Sequence, residues 1–212
     1  MEGRRDRTRV GRRSAAWIGW VVIGAAGCWG GRPARVAAPP VDPAAVQAAV
    51  FAAADADGDG RLVGAELKTI PAIFAARAGL DADRDGAVAA VELTQWLDAV
   101  RRSKVAIHRL ELLVRRSGRP LAGMVVRLVP EAGMGGFIKP AEGMTDADGI
   151  AQMTIPGSPH TGVNCGLYRV AVGGEAASGT ALGIAIGAGL PEEEPVVLDL
   201  ALDEDAGGQR HR

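Results

Sequence analysis

The side chains best placed to do chemistry fall in two segments of one layout, DADGDGRLVGAE at residues 55–66 and DADRDGAVAAVE at residues 81–92. Each spaces three aspartates by two residues, sets a glycine behind the third, and ends on a glutamate. Calcium is a hard cation that takes six to eight oxygen ligands. A twelve-residue loop supplies them from positions 1, 3, 5, 7, 9 and 12 when a glycine at position 6 permits a sharp turn. In the first segment the candidate ligands are the carboxylates of Asp55, Asp57, Asp59 and Glu66, with Gly60 at the turn and the main-chain carbonyl of Arg61 at position 7. In the second they are Asp81, Asp83, Asp85 and Glu92, with Gly86 at the turn and the carbonyl of Ala87. Val63 and Ala89 at position 9 carry no side-chain oxygen, so water would fill that corner. Four carboxylates crowded into each loop repel one another without a cation. The pattern therefore predicts two calcium ions, and a unit that is loose without them and ordered with them.

Helical patterns flank both segments. Asp42 is a candidate N-cap and Pro43 suits the first helical position, after which Val46, Val50 and Phe51 recur at helical spacing up to Asp55. Beyond Glu66, Leu67 and Ile70 continue a short helix that Pro71 interrupts; Pro71 then starts another, carrying Ile73 and Phe74 toward the second segment. A fourth helix, about residues 90–102, places Val91, Leu93, Trp96, Leu97 and Val100 along one stripe. From Val105 the period changes. The runs VAIHRLELLV, GMVVRLVP, IAQMTIP, GLYRVAV, GTALGIAI and PVVLDLAL are short, partly alternating and separated by turn residues. They predict six to eight strands in an antiparallel sandwich. A further acidic stretch, Asp146-Ala147-Asp148-Gly149, has Gly157 where a twelfth-position acid would stand, and reads as a hairpin turn.

The two loops resemble EF-hands, and the resemblance extends to the apolar eighth positions, Leu62 and Val88, which in that family pair across adjacent loops as a small β-bridge. Only residues 67–80 separate the loops, a spacing similar to the compact paired EF-hands of bacterial secreted proteins, which implies short or merged middle helices. Farther on, GRPLAGMVVRLVPE, KPAEGMTDADGIAQMTIP and GLYRVAV resemble the transthyretin-like or carboxypeptidase-regulatory family over roughly residues 105–202. That resemblance implies a non-catalytic seven-stranded module of the kind attached to exported proteins. The expected fold is thus α+β and multidomain: a paired EF-hand domain at 42–103, a transthyretin-like antiparallel β-sandwich at 104–203, and a polar tail at 204–212.

The N-terminus has the form of an export signal over residues 1–27: six arginines lead a 12-residue uncharged run, AAWIGWVVIGAA. The run ends in AAGC, where Cys28 resembles the lipidated cysteine of bacterial lipoproteins, although Ala25 stands where that family usually has leucine. The rival reading is a retained helical anchor over the uncharged stretch from Ser14 to Gly31. Either places the remainder outside the cytoplasm, on a membrane facing the periplasm or exterior, with residues 28–41 as a Pro-, Gly- and Ala-rich tether. Removing residues 1–27 takes away 6 of the 24 basic and 2 of the 25 acidic side chains, leaving 18 against 23. That acidic balance argues against nucleic acid as a partner.

Nothing in the sequence assembles a catalytic set. The histidines are His108, His160 and His211, and no H-E-x-x-H, G-x-S-x-G or C-x-x-C is present. Cys165 beside Asn164 and Gly166 reads as structural rather than as a nucleophile served by His160. The sequence therefore predicts a calcium-binding, membrane-anchored envelope protein that acts by binding and is not an enzyme. Two alternatives stay open: a calcium-responsive sensor, and an accessory subunit of an exported enzyme with an envelope partner of its own.

Overall fold

The helix before the first acidic loop starts where its cap stands. In the computed structural model of the chain, which describes residues 36–173, 182–187 and 195–200, the Asp42 carboxylate accepts from the amides of Ala44 (3.0 Å) and Ala45 (3.3 Å). Helix α1 (Pro43–Ala54) then buries Val46, Val50, Phe51 and Ala54 on one face. The export segment, Cys28 and the 204–212 tail lie outside the described residues.

After a two-residue strand β1 (Arg61–Leu62) comes α2 (Gly64–Thr69), then α3 (Pro71–Leu80), strand β2 (Val88–Ala89) and α4 (Ala90–Ser103). Pro71 makes the break. It has no N–H to continue α2, and its fixed φ suits the first turn of α3, so Ile70 ends one helix and precedes the next. On α4, Leu93, Leu97 and Val100 are buried and Trp96 is half-buried against the core. Val91 departs from the expected stripe, at 60% exposed. At 100° per residue it stands about 200° round the helix from Leu93, on the opposite face.

The rest of the described chain is β. Strands β5 (Val125–Pro130), β6 (Ala141–Met144), β8 (Gly166–Val172) and β9 (Leu182–Ile186) form a sheet in the order β6-β5-β8-β9, every pair antiparallel. A second sheet centres on β3 (Glu111–Arg116), which pairs antiparallel with β4 (Arg119–Pro120) and β7 (Ile150–Gln152). Its other neighbour, β10 (Val196–Leu200), runs parallel to it, so the expectation of a wholly antiparallel arrangement is corrected here. Alternation in a strand reports which face is buried and carries no information on the direction of the neighbour. The Asp146–Gly149 stretch is a turn between β6 and β7: Asp146 Oδ1 accepts from the amides of Asp148 and Ile150, both at 2.9 Å, and Gly149 takes φ +76°.

The change of period at Val105 marks a change of secondary structure, while the hydrophobic core is continuous across it and Arg35–Arg212 form one unit. Two glycines, one in β9 and one in the turn after β5, show how closely the helices and the β segment meet. A Cβ on Gly183 of β9 would lie 2.1 Å from the amide nitrogen of Ala72 in α3, and one on Gly133 would lie 2.7 Å from Ala49 Cβ in α1. The fold is α+β, with four helices and mostly antiparallel sheets among the described residues.

Candidate metal centre

Each acidic segment is held as a loop by its own backbone amides. Asp55 accepts from Gly58 N at 2.8 Å on one oxygen and from Gly60 N at 3.0 Å on the other. Asp57 accepts from Asp59 N (3.2 Å) and Asp59 from Arg61 N (2.8 Å). The second loop repeats the scheme: Asp81 accepts from Asp85 N (3.1 Å) and Gly86 N (2.9 Å), Asp83 from Asp85 N (3.2 Å), and Asp85 from Ala87 N (2.9 Å). These bonds need the chain to fold back sharply, and Gly60 (φ +79°) and Gly86 (φ +89°) supply the left-handed turn at the sixth position. The result brings one carboxylate oxygen each of Asp55, Asp57 and Asp59 within 4.8 Å of one another, and likewise those of Asp81, Asp83 and Asp85.

The twelfth-position glutamates stand in the first turns of α2 and α4, where they close the loops. Glu66 accepts from Ala56 N (2.9 Å) and Val63 N (3.2 Å); Glu92 accepts from Ala82 N (2.7 Å) and Ala89 N (2.8 Å). Each thus ties the second residue of its loop to the ninth and sets a negative charge at a helix N-terminus, where the backbone dipole favours it. Arg61 opens β1 and Ala87 directly precedes β2, so both seventh-position carbonyls lie where the loops turn into the bridge. In that bridge Leu62 pairs with Val88, and both side chains are fully buried.

One contact has no counterpart in the sequence reading, which drew only on the carbonyl of Arg61. Its guanidinium reaches across to the Asp85 carboxylate of the other loop. Asp85 raises the pKa of Arg61 further above its ordinary value through a hydrogen bond and opposite charge. The Asp85 carboxyl is held below the usual range, first by the Ala87 N–H and then by Arg61. A basic residue antiparallel to an acidic loop was the only signal available.

Cys165 is 2% exposed and His160 is exposed in the loop that follows β7, bonded through its backbone to Ser158. His108 is buried and bridges to Val163 through the backbone. Away from the loops, an open groove of about 500 Å³ lies beside β6, lined by Val125, Arg127, Glu142, Met144 and Ile155 among others. Among the described residues no helix is long and apolar enough to cross a membrane. The search of protein-family models found none that matches the chain, and no curated protein matches it.

Proposed function

We propose that the protein binds two calcium ions, one in each acidic loop, and that the ions hold the helical segment in a fixed arrangement on the β-sheets. The observation that carries this reading is the convergence of one oxygen from each of three aspartates, in both loops, on a volume of ion size. The donor set fits: every candidate side-chain ligand is an oxygen, as a hard cation requires, and four carboxylates per loop outweigh the charge of one divalent ion. Glu66 and Glu92 supply the remaining carboxylates, and Arg61 and Ala87 the main-chain carbonyls. On this reading the loops belong with paired EF-hands, and the strands from Glu111 onward serve as a non-catalytic, transthyretin-like sandwich. A structural rather than sensory role is supported by the seating of α1 and α3 on the β segment through glycine contacts, which leaves those helices little freedom to swing apart.

The arginine-rich lead and the small residues before Cys28 support export and attachment to an envelope membrane. Calorimetric titration of the chain with calcium, beside a Glu66→Gln, Glu92→Gln double variant, tests the central claim. Two-site binding that disappears in the variant supports it. The absence of heat in the parent, with no calcium-dependent change in melting temperature, overturns it.

A further inference from the structure

Helix α3 is committed at both ends. Its C-terminal cap is Asp81, the first carboxylate of the second loop, whose backbone N–H donates to the carbonyl of Arg77. Its N-terminal turn lies on the sheet with backbone against backbone: Ala72 is fully buried, and both its amide nitrogen and the carbonyl carbon of Pro71 stand 2.1 Å from where a Cβ on Gly183 would be. Beside that contact the Ala72 N–H donates to Glu131 Oε1 at 3.3 Å. The other Glu131 oxygen accepts from Arg169 Nη2, also at 3.3 Å, and Arg169 of β8 sits directly across from Gly183 in the strand register. Glu131 is 3% exposed, and its own N–H is fixed on the carbonyl of Leu167. Three elements thus meet at the start of a ten-residue helix whose far end carries a metal-ligand candidate roughly 15 Å away.

We propose that α3 acts as a strut that links calcium binding in the second loop to the β8–β9 side of the sheet, with Gly183 and Glu131 as positioning residues that set the loop's affinity without touching the ion. The inference rests on the calcium reading above. A cation in the second loop must draw Asp81, at the end of α3, and Glu92, at the start of α4, toward one point. The angle between the two helices is thereby part of the site. Because α3 is short and its first turn has no side chain between it and β9, the helix cannot tilt without opening the Gly183 contact. Whatever loosens that contact costs binding free energy, and by linkage the bound ion tightens the contact in return.

The test uses the full-length chain in detergent, carrying Glu66→Gln so that only the second loop binds. Calcium titration follows the further addition of Gly183→Ala, Glu131→Ala or Glu131→Gln. The expected result is affinity weakened about fivefold or more by Gly183→Ala and Glu131→Ala, with Glu131→Gln recovering part of the loss. In the wild-type chain calcium is expected to slow amide hydrogen exchange in peptides covering β8 and β9. Unchanged affinity in folded variants overturns the strut, as does calcium binding that leaves β8 and β9 exchange unaltered, a readout that needs no variant. No calcium binding in the wild-type chain overturns the calcium reading itself and is distinguished by the missing heat.

Discussion

The guanidinium of Arg61 in the first acidic loop contacts the carboxylate of Asp85 in the second, so a positive charge already sits on a carboxylate that a cation in the second loop would use. The pair lies beside the Leu62–Val88 bridge, where the two loops pair as antiparallel strands. Both side chains are substantially exposed, which limits its worth as a source of stability. Its effect on the ion is larger, because it competes for a ligand directly.

Arg61→Gln is expected to tighten calcium binding in the second loop by severalfold and to leave the main-chain carbonyl at position 61 in place. Raising the ionic strength weakens the exposed Arg61–Asp85 attraction, so the gap between parent and variant narrows in high salt. Titrations of both proteins at two potassium chloride concentrations check this; equal affinities at low salt count against it.

Glu131 gives a pH dependence of definite sign. Burial raises its pKa above the ordinary carboxylate value, with Arg169 and the Ala72 N–H opposing the rise. The native state therefore holds its proton more firmly than the unfolded chain. The stabilising difference is full below the ordinary carboxylate pKa and is lost as pH rises through the elevated one. Asp85, whose carboxyl is lowered, works the other way and loses its contribution as pH falls. Urea unfolding of the parent and Glu131→Gln in calcium-free buffer isolates the Glu131 term. The parent-minus-variant stability should decline as pH rises above the ordinary carboxylate pKa.

Arg84 occupies the left-handed region, φ +61°, at the fourth position of the second loop, where the first loop has Gly58 at φ +73°. A side chain there costs roughly 1–2 kcal/mol, of which the greater freedom of glycine in the unfolded chain returns about half. Arg84→Gly should raise stability by about 1 kcal/mol or less and tighten the loop's hold on a cation by removing a positive charge. Thermal melts with and without calcium measure both effects.

Tyr168 is fully buried in β8, and its hydroxyl donates to the carbonyl of Asn164 at 3.0 Å. Burial drives the phenol well above its ordinary pKa, so it stays protonated as a donor at any workable pH. Tyr168→Phe preserves the ring and removes the donor. The expected cost is about 1–3 kcal/mol, read as a lower urea midpoint at unchanged slope.

What was legible in the sequence was local. Asp42 and Pro43 mark the start of α1 because a cap and a fixed φ act within one turn, and Pro71 divides α2 from α3 for the same reason. Both acidic loops declare themselves because the residues that fold them lie within twelve positions, and the Leu62–Val88 pairing follows from their matching register. What escaped was long-range. Glu131 bonds Ala72 across 59 positions, and Gly183 receives that same turn of helix without a side chain to advertise it. Val91 misled because an apolar residue near a stripe resembles a member of it until the angle is counted. The guanidinium of Arg61 escaped because position 7 calls for a backbone oxygen, and the side chain is left to find its own partner.

The parallel pairing of Leu112–Arg116 with Val196–Leu200 sets an order of events during synthesis. The partners are separated by about eighty residues, so β3 gains its neighbour on that side only after the rest of the β segment has emerged. Closing so long a loop is slow, and it rewards the chain only at the end. Until then β3 presents an open row of backbone donors and acceptors, the kind of edge on which newly made chains join one another. Strand β10 thus covers that side of β3, and losing it would be felt first as aggregation during folding.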